Sequence, residues 1–169
     1  MRDFVVRKLV PGEGAAYRRL RLAALENAPL AFSSSPEDEA HLGDADFEAR
    51  ISLAEPDAVF GVFGGAELVG VATFIAEKRR KTRHKGAMYG VYVDPEWRGT
   101  GAAQALVRQV IDHASEHGLA VHAHVIADNA PALRLYLSLG FVSYGVEPRA
   151  LLVDGVFYDE QLLIYQRGG

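Results

Sequence analysis

Arg98, Gly99, Thr100, Gly101, Ala102, Ala103 and Gln104 stand where the run Val91-Tyr92-Val93 gives way, through Asp94 and Pro95, to an amphipathic helical pattern. A strand that feeds a glycine turn and then a helix is an arrangement for holding phosphate. The first N–H groups of a helix lack intrahelical partners and carry a partial positive charge. Glycines at 99 and 101 let an anion approach the main chain without meeting a Cβ, and Arg98 adds a cation. Two nucleotide sites fail on the residues. A P-loop needs Gly-Lys-Ser/Thr at the end of its turn, and this segment has no lysine. The dinucleotide fingerprint needs Gly or Ala at its third position, where Gln104 stands.

His122 and His124, two apart in a valine-rich run, face one side of a strand. Metal binding needs further ligands, none of which forms a recognisable set nearby, so a structural role is preferred, a base or substrate contact comes second, and no metal is assigned. His113 and His117 sit near a helix C-terminus, where they suit the dipole. The cluster from Lys78 to Lys85 is the one strong block of charge, read first as a solvated hairpin. No cysteine is present, which excludes a thiolate nucleophile, thiolate metal sites and disulfides, and suits a reducing, cytoplasmic compartment.

The elements that must position these residues follow from periodicity. Phe4 to Val10 predicts a strand. Glu13 to Asn27 predicts a helix with Ala16, Leu20, Ala23 and Ala24 inward and its arginines outward; Ser35-Pro36-Glu37-Asp38 starts another, and Asp44 to Leu53 a short one. Strands are expected at 58–63, 68–76 and 87–93, the first pair joined by Gly64-Gly65. A helix over 100–116, a strand over 119–126, a helix over 129–139 and strands at 141–146 and 156–165 complete the order. This is an α/β chain: a mixed, mostly antiparallel sheet of about seven strands flanked by about four helices, in one domain spanning 1–169. The net charge of −4 gives no general drive toward nucleic acid or anionic membrane. The N-terminal apolar run is too short for a signal peptide, and no segment reaches the ~20 apolar residues of a membrane helix.

Arg98-x-x-Gly101-x-Ala103 resembles the coenzyme A signature of the GNAT superfamily of N-acetyltransferases. Asn129-Ala130-Pro131-Ala132-Leu133-Arg134-Leu135-Tyr136, with Leu139-Gly140-Phe141, is similar to that family's second motif. The strand order matches along nearly the whole chain, while 11–57 matches only in expected structure. The resemblance implies the acyl-CoA N-acyltransferase fold and an acetyl-CoA-dependent transfer of acetyl to an amine. It implies that Val91, Tyr92 and Val93 offer main-chain groups to pantetheine and that Arg98 to Gln104 cradle the pyrophosphate. It also implies that Asn129 contacts coenzyme or substrate and that Tyr136 donates a proton to the departing thiolate. Residues 129 and 136, seven apart, share one helix face ~10 Å apart. A phenol near pKa ~10 beside a thiol of ~8.5 is a reasonable general acid. Taken alone, Tyr136 is a core aromatic and Asn129 a helix cap.

The family's occasional glutamate on the strand before the signature is missing: Gly86 to Val93 holds no carboxylate. The general base stays open among Tyr89, His122, His124 and the acids Glu37 to Glu39. The acceptor, a small molecule, amino acid or protein terminus, is expected beside the helices between Leu30 and Leu53. Family precedent suggests a homodimer. Two other readings remain: an acyl-CoA-binding sensor without turnover, and a protein- or RNA-binding module using the basic segment 78–85.

Overall fold

A computed structural model of the chain describes residues 2–167. In chain order the elements are β1 (Val5–Lys8), α1 (Gly14–Asn27), α2 (Pro36–Glu39), α3 (Asp44–Ile51), β2 (Ala58–Gly64), β3 (Glu67–Ala76), β4 (Lys85–Val93), α4 (Ala102–Glu116), β5 (Ala120–Ile126), α5 (Ala130–Ser138), β6 (Val142–Val153) and β7 (Val156–Tyr165). Single 3₁₀ turns cover Pro29–Ala31 and Pro95–Trp97. The strands form one seven-stranded sheet in the order β1-β2-β3-β4-β5-β7-β6. Every neighbouring pair is antiparallel except β4 and β5, which are parallel because α4 crosses between them.

The sheet is covered on both faces. On one, Leu106, Val107, Val110 and Ala114 of α4 pack with Phe74, Phe141 and Leu163. On the other, Tyr17, Leu20, Ala24 and Leu25 of α1 pack with Phe47 and Ile51 of α3, over Val59 and Val71. Strand β2, next to edge strand β1, is therefore buried on both sides and reads as a continuous apolar run. Each fully buried Phe or Leu contributes about 1.5–3 kcal/mol, so the two layers together hold the sheet that carries the site.

Three local expectations need correction. The inward stripe of α1 is Tyr17, Leu20, Ala24 and Leu25, while Ala23 is exposed. Tyr17 meets Phe47 edge-on at 5.4 Å, and that larger contact sets the helix rotation. Two of the arginines expected in solvent are half-buried: Arg18 Nε donates to the Leu42 carbonyl at 2.8 Å, and Arg21 pairs with Glu39. His113 does not merely decorate a helix end. It is buried, its Nε2 lies 2.7 Å from the Pro56 carbonyl oxygen, and it stacks edge-on against Phe60.

Strand β6 runs to Val153, well past the expected end at 146. Pro148 and a mostly exposed composition hide its second half. Bulges at Ser143/Gly145 and Glu147/Leu151 absorb the proline, with Arg149 at φ 53° and its N–H donating to Asp159 at 2.8 Å. Asp154 and Gly155, at φ 49° and 78°, close the hairpin to β7 as their types suggest.

Candidate active site

Pairing between β4 and β5 stops early. Their register covers only Lys85–Ala120, Gly86–Val121 and Ala87–His122, after which the strands separate. On its other edge β4 carries a bulge: Tyr92 faces Val71 and Tyr89 faces Thr73, so Gly90 and Val91 together oppose Ala72. Gly90 sits at φ 59°, a left-handed conformation that glycine adopts without strain. Into the gap opens a cavity of about 480 Å³. It is lined from one face of the sheet by Arg21 of α1 and the segment after it, and from the other by Asn129, Ala132 and Tyr136 at α5. The cavity therefore passes through the sheet between the two strands.

The glycine turn lies just beyond the end of β4. Gly99 and Gly101 are left-handed at φ 73° and 87°, and a Cβ at either would meet nothing within 4 Å. The first intrahelical bond of α4 runs from the Ala105 N–H to the Gly101 carbonyl at 3.0 Å, so the N–H groups of Ala103 and Gln104 have no partner in the helix. Thr100 braces the turn: its hydroxyl donates to the Trp97 carbonyl at 2.6 Å and accepts from the Ala102 N–H at 3.3 Å. Arg98 and Gln104 are exposed, Ala102 is buried and Ala103 half-buried. None of residues 98–104 lines the cavity, so the turn is a surface separate from it. Val91 lines the cavity directly. Tyr92 and Val93 send their side chains into the two cores, and only their main chain remains to contact a ligand.

Tyr136 is 7% exposed, 5.6 Å from Phe141 ring to ring, and it lines the cavity. Burial pushes its phenol well above the ordinary value, so the group stays protonated. Its hydroxyl has no hydrogen-bond partner among the described residues, yet no buried side-chain polar atom there is orphaned; the hydroxyl therefore opens to the cavity. Asn129 is the N-cap of α5 and also lies in the cavity wall. Its Oδ1 accepts from the Ala132 N–H at 3.2 Å.

The acetyltransferase (GNAT) family model matches residues 20–141. The chain belongs to the GNAT acetyltransferase family. It is 34% identical over 140 residues to a mycothiol acetyltransferase of Actinosynnema mirum, a match covering 76% of this chain and 45% of that one. It is 32% identical over 96 residues to the L-amino acid N-acetyltransferase AaaT of Escherichia coli, covering 55% and 58%. The chain thus spans less than half the length of the mycothiol acetyltransferases it matches. Among solved structures, yncA of Salmonella typhimurium with its cofactor acetyl-CoA superposes with a TM-score of 0.78 at 23% identity, over 96% of this chain and 93% of that one. That likeness gives the fold.

The candidate bases occupy different environments. Glu39 is buried and spoken for: Arg21 Nε and Nη2 donate to its two oxygens at 3.1 and 2.9 Å, and Arg50 adds a third bond at 3.1 Å. Burial acts to raise its pKa, but the hydrogen bonds from Arg21 and the charges of Arg21 and Arg50 outweigh it and hold the carboxyl below its usual range. Glu37 and Asp38 are exposed, and Asp38 caps its own helix at Ser35. His122 lies outside the cavity lining, 3.2 Å from the Tyr144 hydroxyl, with its pKa lowered by burial and then by Lys85. His124 and Tyr89 do line the cavity.

Three residues of this site escaped sequence reasoning. Glu160 of β7 lines the cavity, and its Oε2 lies 3.3 Å from His124 Nδ1. It is the one carboxylate in that lining. Arg21 was assigned to solvent, and Gly90 carried no signal beyond its type. The basic segment Lys78 to Lys85 is the exposed connection from β3 into β4, at the strand end opposite the glycine turn, roughly 25–30 Å away along β4. Among the described residues no helix is long and apolar enough to cross a membrane.

Proposed function

We propose that this chain is an N-acetyltransferase that moves the acetyl group of acetyl-CoA directly onto an amine, in the cytoplasm where that thioester is supplied. The observation that carries the reading is the cavity through the sheet, open to a protonated Tyr136 on one face and to Arg21 on the other, with His124 and Glu160 in its lining. The residues present fit the co-substrate. The edge of β4 left free after Ala87 offers main-chain groups of Val91, Tyr92 and Val93 to the pantetheine amides. The turn from Arg98 through Gly99, Thr100, Gly101, Ala102 and Ala103 to Gln104 offers N–H groups and a cation to the pyrophosphate, and the Asn129 amide reaches the same ligand. Acetyl-CoA supplies the acetyl group as an activated thioester.

The residues of the chain supply the rest. A carbon–nitrogen bond forms as the carbon–sulfur bond breaks, so one proton must leave the amine and one must reach the sulfur. His124, with its Nδ1 side held by Glu160, takes the first. Tyr136, kept in its O–H form by burial, donates to the departing sulfur. The Gly90–Val91 bulge frees main-chain N–H groups for the carbonyl oxygen, and such prepositioned donors are worth about 3–4 kcal/mol each at comparable sites. The missing carboxylate on β4 is the feature that favours an acyl-CoA sensor without turnover; the His124–Glu160 pair weighs against it.

The acceptor is a small molecule, an amino acid or a protein terminus. Edge strand β6, with Val142, Tyr144 and Val146 exposed on alternate positions, is the surface offered to a second copy in a homodimer. The test is to incubate the pure chain with acetyl-CoA and a panel of amines, amino acids and short peptides. Thiol release together with an acetylated product supports an enzyme. Tight acetyl-CoA binding with no turnover on any amine would favour the sensor.

A further inference from the structure

Arg21 is built into the cavity wall with one edge left over. Its Nε and Nη2 are spent on Glu39, while Nη1 has no hydrogen-bond acceptor among the described residues. That free nitrogen lies over the β4 bulge, 2.9 Å from where a Cβ on Gly90 would stand. The guanidinium also rests on the Phe32 ring at 4.6 Å, and its side chain is only 13% exposed. Fork, ring and backbone together fix the group in one orientation. Its charge is not cancelled, because Glu39 is shared with Arg50 and the trio carries one net positive charge. Besides Tyr89 and Tyr136, the other titratable side chains in the lining are His124 and Glu160, which are engaged with each other. The cavity thus presents an unspent cation near the bulge and a base pair elsewhere in its wall.

A second hollow of about 260 Å³ shares Arg21, Tyr89 and Gly90 with the first. Beyond them its wall is formed by Tyr17, Leu53, Val59 and Ile75, a mostly apolar slot into which Arg50, already paired with Glu39, and Thr73 bring polar groups. An acceptor anchored at Arg21 would have room there for an apolar group.

Resting on the acetyltransferase reading above, we propose that the acceptor is a free α-amino acid with an apolar side chain. Its carboxylate takes the Nη1 edge of Arg21, its amine faces the thioester beside Gly90, and its side chain enters the slot beside Val59 and Ile75. A guanidinium held rigid by a buried carboxylate binds a planar carboxylate with little loss of freedom, which favours an arginine here over a lysine. A protein N-terminus, whose first carboxyl is a neutral amide, offers Nη1 a carbonyl oxygen but no opposite charge, and so loses the charge-assisted part of the bond.

The test compares L-phenylalanine and L-leucine with their primary amides and with the corresponding amines that lack the carboxyl group, by initial rates of thiol release. Acetyl-CoA affinity is measured in parallel. The wild-type protein is expected to favour each acid over its amide by roughly 10- to 100-fold in kcat/KM, the range of a charged hydrogen bond. Arg21→Gln should bring acid and amide within about threefold of each other while leaving acetyl-CoA affinity unchanged, and Arg21→Lys should recover only part of the preference. Ile75→Trp should exclude L-phenylalanine and spare L-alanine. If Arg21→Gln fails to fold, the acid-to-amide ratio of the wild-type protein decides alone. Acetyl-CoA binding with amides or peptides acetylated as well as free acids overturns this inference and leaves the acetyltransferase reading standing. Acetyl-CoA binding with no acetylation of any free amino acid overturns it too. Absence of acetyl-CoA binding sinks the underlying reading instead.

Discussion

Tyr136→Phe removes one oxygen from a side chain that the structure otherwise holds by its ring. The ring is 7% exposed and packs on Phe141 at 5.6 Å, contacts that phenylalanine keeps. The hydroxyl has no protein partner among the described residues, so its loss orphans no other group and stability should change by less than about 1 kcal/mol. The catalytic effect should be larger. A hydrogen bond to a group gaining charge is worth about 1.5–3 kcal/mol, and in a desolvated site the loss of one donor reaches about 100- to 1,000-fold in rate. The expected result is a fall of about 30- to 300-fold in kcat, with acetyl-CoA affinity and the urea midpoint unchanged. Thiol release at saturating acetyl-CoA, calorimetric titration and urea melts measure the three quantities. A kcat within about threefold of wild type would refute the role given to the phenol. A clear loss of stability with kcat intact would make Tyr136 a core aromatic and nothing more.

Other expected outcomes rest on separate observations. Gly90→Ala places a Cβ 2.9 Å from Arg21 Nη1 at a residue with φ 59°; it should cost about 1–2 kcal/mol in chemical denaturation and lower activity by moving Arg21. Gly101→Ala strains φ 87° at the N-cap of α4 and should weaken acetyl-CoA binding about tenfold by calorimetry, with little change in far-UV circular dichroism. Glu39 gives a pH signature. Its carboxyl titrates below its usual range when folded, so the unfolded chain binds more protons near pH ~4.3. The stabilisation is therefore complete above that region and is lost as pH falls through the folded value. Urea melts from neutral to acid pH should show this slope, and Glu39→Gln should flatten it while costing about 2–4 kcal/mol at neutral pH by leaving Arg21 and Arg50 poorly paired. A slope that survives the substitution would assign the effect to other carboxylates.

What was legible in the sequence was contiguous. Strand, glycine turn and helix follow one another between Val91 and Glu116, and each leaves a local mark: valines, left-handed glycines, a helical stripe. Asn129 and Tyr136 were singled out only through the resemblance to the family's second motif; their own pattern, two turns apart on one helix, reads as a cap and a core aromatic. The cavity itself was not, since it depends on where β4 and β5 stop pairing after Ala87, and no local pattern records the end of a ladder. Glu160 reaches His124 only because β7 inserts between β5 and β6. Arg21 was misplaced because a charged residue flanking an apolar stripe reads as solvated. Its burial is made possible by Glu39, from a one-turn helix, and by Phe32, neither of which shares a periodicity with it. Along α1, Ala16, Leu20, Ala23 and Ala24 make a helical stripe by spacing alone, but the larger Tyr17 contact with Phe47 sets the rotation. The second half of β6 was lost to Pro148, which bulges rather than breaks the strand.

The central claim, that the gap beside β4 and the turn from Arg98 to Gln104 together hold acetyl-CoA, is tested most directly by calorimetric titration of the folded protein with acetyl-CoA, using ATP and NAD as controls. The account predicts saturable binding of acetyl-CoA with about one ligand per chain, at least tenfold tighter than either nucleotide, and weakened by Gly101→Ala. No binding of acetyl-CoA to a sample that melts cooperatively, or equal binding of all three ligands, would contradict it.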